Sequence, residues 1–72
     1  MTLTFQQASS FVLPFGNHKG RTIDKVAQTD EGLRDLDSFL GWLESRRRGT
    51  DVHEAVKTYL DDPSIRKELN SL

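Results

Sequence analysis

Apolar positions in the second half of the chain recur with helical spacing. Leu33, Leu36, Phe39, Leu40 and Leu43 lie three and four residues apart, the pattern of a helix face turned to a core. Thr29 or Asp30 caps this helix, Arg46, Arg47 and Arg48 suit the dipole at its C-terminus, and Gly49 ends it. Trp42 lies alongside the apolar face and reads as a core residue; exposed, it would be a partner hot spot or a base-stacking platform. Gly32 and Gly41 weaken the helix slightly, and Gly41 is the one expected to allow close packing. A further helix follows, capped by Asp51 with Glu54 as its box partner, its inner face formed by Val52, Ala55, Val56, Tyr59 and Leu60. Asp62-Pro63 opens a last short helix anchored by Ile65, Leu69 and Leu72.

The first half alternates more. Thr4 and Gln7 have capping-box spacing for a short helix, while Leu3 and Phe5 alternate with Thr, so a strand over Thr2–Phe5 is the competing reading. Phe11-Val12-Leu13 reads as a short strand that must end or lie at an edge at Pro14. Gly16-Asn17-His18-Lys19-Gly20 is a turn, and Arg21-Thr22-Ile23 returns as the partner strand. Asp24 to Ala27 forms one helical turn. The expected fold is therefore α+β: an N-terminal β-hairpin over about residues 11–23, packed against three or four helices in one domain covering residues 1–72.

Composition narrows the function classes. With no cysteine the chain forms no disulfide and offers no thiolate to zinc, which fits a reducing, cytoplasmic setting. No apolar run approaches the roughly 20 residues of a membrane span, and no secretory signal pattern opens the chain, so no membrane partner is expected. Ten Lys and Arg stand against eleven Asp and Glu, a net charge of −1, unlike a protein that coats nucleic acid. The cations are nonetheless grouped. Lys19 and Arg21 sit in a stretch of 23 residues without an acid, and Arg46 to Arg48 form a second cluster after an acidic segment. His18 and His53, the two histidines, have no ligand set at metal spacing, and no nucleophile–base pair is present. No metal, cofactor or catalytic residue is expected, and the chain does not read as an enzyme.

The run LPFGNHKGRTI, residues 13–23, resembles the small FGxxKGxxL/I domain that closes exodeoxyribonuclease X-like proteins and recurs in short bacterial and phage proteins of unassigned activity. Phe15, Gly16, Lys19, Gly20 and Ile23 match that motif. GLRDLDSFLGWL is similar to the family's second helix through Gly32, Leu33, Leu36 and Trp42, with Asp35 where an aromatic is common, and YLDDPSIRKEL is similar to the ending of its phage and prophage members. The resemblance implies a nucleic-acid context without a catalytic domain.

The residues themselves allow the same use. Gly16, Asn17 and Gly20 can bring backbone amides close to an anion, with His18, Lys19 and Arg21 adding a hydrogen bond and charge. Arg46, Arg47 and Arg48 can contact phosphate without reading sequence. The leading expectation is a small non-catalytic accessory domain that binds DNA or RNA weakly and salt-sensitively through these residues. The alternative is a protein-interaction module, of the kind a phage or prophage directs at a host protein. One continuous positive face joining residues 18–21 to 46–48 would favour the first; isolated cations beside an exposed apolar patch would favour the second.

Overall fold

The computed structural model describes residues 3–72; Met1 and Thr2, which the expected domain includes, lie outside the described residues. Five helices follow one another: α1 (Phe5–Ser9), α2 (Ile23–Val26), α3 (Asp30–Arg46), α4 (Asp51–Leu60) and α5 (Pro63–Asn70). α4 lies against α1 on one side and α3 on the other, α2 fills the angle between α1 and α3, and α5 closes over α3 and α4.

Each start is set by a side-chain oxygen that satisfies an otherwise unpaired amide. Thr4 and Gln7 form the reciprocal capping box of α1, so the helical reading of the N-terminus holds. Thr22 caps α2, Thr29 caps α3 and Asp62 caps α5, where Pro63 occupies the first turn. At α4 the cap is Thr50, whose Oγ1 accepts from the His53 amide, and Asp51 is the first helical residue rather than the cap. Leu33, Leu36, Leu40 and Leu43 from α3 interlock with Val52, Ala55, Val56, Tyr59 and Leu60 from α4 in one core, joined by Ala8, Leu13, Ile23, Val26 and Ile65.

The expected α+β class is wrong: the described chain is all-helical, with no strand and no sheet. Segments 11–13 and 20–23 do run antiparallel. Leu13 N donates to Arg21 O (2.9 Å), Gly20 N to Leu13 O (2.9 Å) and Ile23 N to Phe11 O (3.0 Å). Only one isolated bridge, Val12 with Thr22, results. Two causes truncate the ladder. Pro14 has no amide to continue it on the outgoing leg. On the return leg Thr22 is already the cap of α2 and Ile23 its first residue, so the chain turns helical where pairing would extend. Helix initiation, with Ile23 fully buried, takes the residues the second strand needed.

The two glycines of α3 also exchange roles. Gly41 has nothing within 4 Å of the position a Cβ would take, whereas at Gly32 that position overlaps the carbonyl oxygen of Val26 and lies 2.9 Å from Thr29 Oγ1. Gly32, not Gly41, is the close-approach residue, and it lets the end of α2 rest on the first turn of α3.

Candidate interaction site

The turn over residues 14–20 folds back on the middle of α3. Gly16 and Gly20 have φ of +93° and +85°, a region open to glycine at little cost, and Gly16 sits over the Phe39 ring. This brings Phe15 against two side chains of α3. Its ring meets Phe39 edge-on at 5.7 Å and Trp42 edge-on at 5.8 Å, while Phe39 and Trp42 lie nearly parallel at 6.0 Å. Such pairs contribute about 0.5–1.5 kcal/mol each beyond area burial. The cluster is not sealed. Trp42 is 40% exposed, correcting the expectation that it is a core residue, and Phe15 and Phe39 are half-buried.

Asp35, Phe39, Trp42 and Arg46 follow one another at steps of four, three and four, so they form a single stripe along α3. At its N-terminal end His18 Nε2 lies 3.0 Å from Asp35 Oδ2. Between that pair and the aromatic rings is a depression of about 240 Å³, floored by Leu13 and Leu36 and walled by Phe15, Phe39, Gly16 and Asn17. At the C-terminal end Trp42 borders a shallow hollow with Ser45, Arg46 and Arg47. The stripe therefore runs from a His–carboxylate pair, across an aromatic surface, to two arginines.

The residues singled out in the sequence are dispersed on this frame. Gly16, Asn17 and His18 line the depression. The amides of Lys19, Gly20 and Arg21 already donate to the carbonyls of Gly16, Leu13 and His18, so these three amides are engaged within the backbone. Lys19 and Arg21 are exposed, and Arg21 shares a shallow hollow with Lys25, Glu31 and Asp35, so carboxylates lie beside this cation. The arginine run splits: Arg46 and Arg47 border Trp42, whereas Arg48 lies with His53, Glu54, Lys57 and Asp61 in a different hollow. An aromatic surface and acidic side chains interrupt the basic groups, and no DNA-binding or phage-specific feature is evident among the described residues. Among those residues no group of three or more His, Asp or Glu side chains gathers as a metal site, and no helix is long and apolar enough to cross a membrane.

Sequence reasoning missed Asp35 and Phe39 as surface residues. The signal was present in the stripe at 35, 39, 42 and 46, which runs beside the leucine face rather than within it. The same reasoning weighed His53 only as a metal ligand and gave it no structural role, whereas the residue is buried at 6% exposure. His53 Nδ1 accepts from the Gly49 amide at 3.2 Å, and its Nε2 lies 3.8 Å from Glu44 Oε2. This imidazole braces the turn between α3 and α4.

No family model, curated protein or solved structure matches the chain, so its likeness to the FGxxKGxxL/I domain rests on the motif residues alone.

Proposed function

We propose that this chain is a protein-interaction module whose contact surface is the aromatic face of Phe15, Phe39 and Trp42. The observation that carries the reading is the partial exposure of three mutually packed rings as one cluster, with Trp42 exposed and Phe15 and Phe39 half-buried; the other exposed large apolar side chains, Phe5, Val12 and Leu72, are not part of that cluster. Large exposed aromatics flanked by arginine are the composition of interface hot spots, because they bury much area at little conformational cost. A net charge of −1 and cations set apart by carboxylates support a protein partner over a polyphosphate. The absence of cysteine supports a cytoplasmic placement. In this reading the chain acts by binding, without catalysis.

The test is quantitative affinity capture from a cell lysate with the wild-type chain and Trp42→Ala, followed by calorimetry on any purified binder. Hot-spot tryptophans cost roughly 2 kcal/mol or more when truncated, so affinity should fall at least about thirtyfold. Thermal melting of the variant controls for folding. If no protein distinguishes the two baits, the aromatic face is not an interaction surface.

A further inference from the structure

The two ends of the stripe differ in charge, and that difference specifies the partner. We infer that the aromatic face takes a peptide segment carrying one bulky apolar side chain, anchored in the depression beside Phe15 and Phe39, with carboxylates a few residues away that pair with Arg46 and Arg47. The inference rests on the proposed protein-binding role and adds the chemistry of the partner.

Three features support it. First, the depression of about 240 Å³ opens beside the aromatic rings, with Leu13, Leu36, Phe15 and Phe39 offering apolar contact and Asn17, His18, Asp35 and Ser38 forming a polar rim, so an apolar side chain entering it packs on leucine and phenylalanine. Second, Arg46 and Arg47 are exposed and form no ion pair among the described residues. The backbone of Arg47 is occupied, its amide donating to Leu43 O at 2.7 Å and its carbonyl accepting from Thr50 Oγ1 at 2.7 Å, which anchors the residue while leaving the guanidinium outside. The planar fork of a guanidinium favours bidentate carboxylate contacts. Third, Asp35 stands at the opposite end, held at 3.0 Å by His18. It repels a carboxylate there and so sets which way the segment lies.

Geometry gives the spacing. Phe39 and Arg46 are seven residues apart on α3, about 10 Å at the helical rise of about 1.5 Å per residue. An extended peptide advances about 3.3 Å per residue, so its acids should lie about three residues from the anchor. Nucleic acid is the competing occupant of an aromatic–arginine surface. The depression beside the rings is floored by leucines and bordered by Asp35, which suits an aliphatic or aromatic side chain better than a phosphate backbone.

The experiment is selection from a yeast-displayed library of random twelve-residue peptides, run in parallel on the wild type, Arg46→Glu/Arg47→Glu and Trp42→Ala. The wild type should enrich peptides with Phe, Leu or Trp placed two to four residues from an acidic pair. The charge-reversed variant should enrich Lys or Arg at the same spacing. A synthetic peptide from the wild-type selection should bind the reversed variant at least tenfold more weakly, and its affinity should fall with added salt. Apolar peptides enriched without acidic preference, or selection unaffected by charge reversal, would overturn this inference while leaving the interaction surface standing. No enrichment, or enrichment that survives Trp42→Ala, would overturn both. Fluorescein-labelled single-stranded DNA and RNA form a further arm: binding lost on reversal of Arg46 and Arg47 would give these arginines to nucleic acid and refute the peptide assignment. Both sites are exposed, and exposed charges contribute little to stability, so the reversed variant should melt within a few degrees of wild type.

Discussion

Two Gly→Ala substitutions in the same helix should move stability in opposite directions. Gly32 and Gly41 both lie within α3, where alanine is intrinsically better than glycine by about 0.8–1.0 kcal/mol. At Gly41 the new methyl meets nothing within 4 Å, so the helical preference acts unopposed. Gly41→Ala should stabilise by close to that amount and raise the melting temperature by roughly 4–8 °C, the shift expected per kcal/mol in a domain of this size. At Gly32 the methyl would overlap the Val26 carbonyl oxygen, with the Val26 carbonyl carbon and Thr29 Oγ1 both at 2.9 Å. Two of these three atoms are backbone, so relief requires α2 to lift from α3. Val26 is buried and Ile23 is fully enclosed, so that movement loosens core packing. Overpacking of this kind costs about 1–3 kcal/mol, more than the helical gain. The helical gain is common to both sites, so the two variants should differ by the overpacking cost of about 1–3 kcal/mol, a sizeable share of the roughly 4–11 kcal/mol expected for a chain this long. Denaturant titration followed by circular dichroism reads both numbers. A Gly32→Ala variant as stable as Gly41→Ala would show that α2 does not rest on α3 and would remove the basis for its placement.

Leu36 is 1% exposed at the centre of the core, so Leu36→Ala should cost about 2–5 kcal/mol in denaturant melts; a loss under about 0.5 kcal/mol would deny this helix face its core role. Thr50→Ala should cost about 1 kcal/mol by removing the α4 cap, and Asp51→Ala less, because Asp51 contributes only through the helix dipole; the reverse order would restore Asp51 as the cap. The Tyr59 hydroxyl is raised above its usual value of 10.0, first by burial and then by the carboxylates of Asp24, Glu68 and Asp62. The unfolded chain therefore loses this proton first as pH rises, so the stability tied to neutral Tyr59 is complete below about pH 10 and declines above it. Tyr59→Phe should keep the stacking on Phe5 at 5.0 Å, melt like wild type near neutrality, and lose less stability above pH 10; identical alkaline limbs would contradict the burial of the hydroxyl.

Most of the helical skeleton was legible along the chain because its signals are local. Thr4 with Gln7, Thr29 and Asp62-Pro63 satisfy amides within three residues, so their consequences need no tertiary partner. The leucine spacing of α3 likewise marks its buried face, and all four leucines are in the core. The strand reading of 11–13 and 21–23 failed because it weighed branched and aromatic residues without the competition at Thr22. There one residue can either extend a ladder or cap a helix, and burial of Ile23 and Val26 decides for the helix.

Sequence by itself determined where α1, α3 and α5 begin, which stripe of α3 is apolar, and that the cations fall in two groups. Those are properties of neighbours within one helical turn. Tertiary structure decided which glycine is a packing contact, that Trp42 faces outward, that Arg48 parts from Arg46 and Arg47, and that His18 meets Asp35 across 17 positions of chain. The physical reason is common to all four. Each depends on which surface of α3 another segment covers, and that follows from how the turn over residues 14–20, α2 and α4 share the circumference of one helix. α2 and α4 claim the leucine face, and the turn reaches only as far as Phe15. The indole and two guanidiniums beyond it are left on the surface.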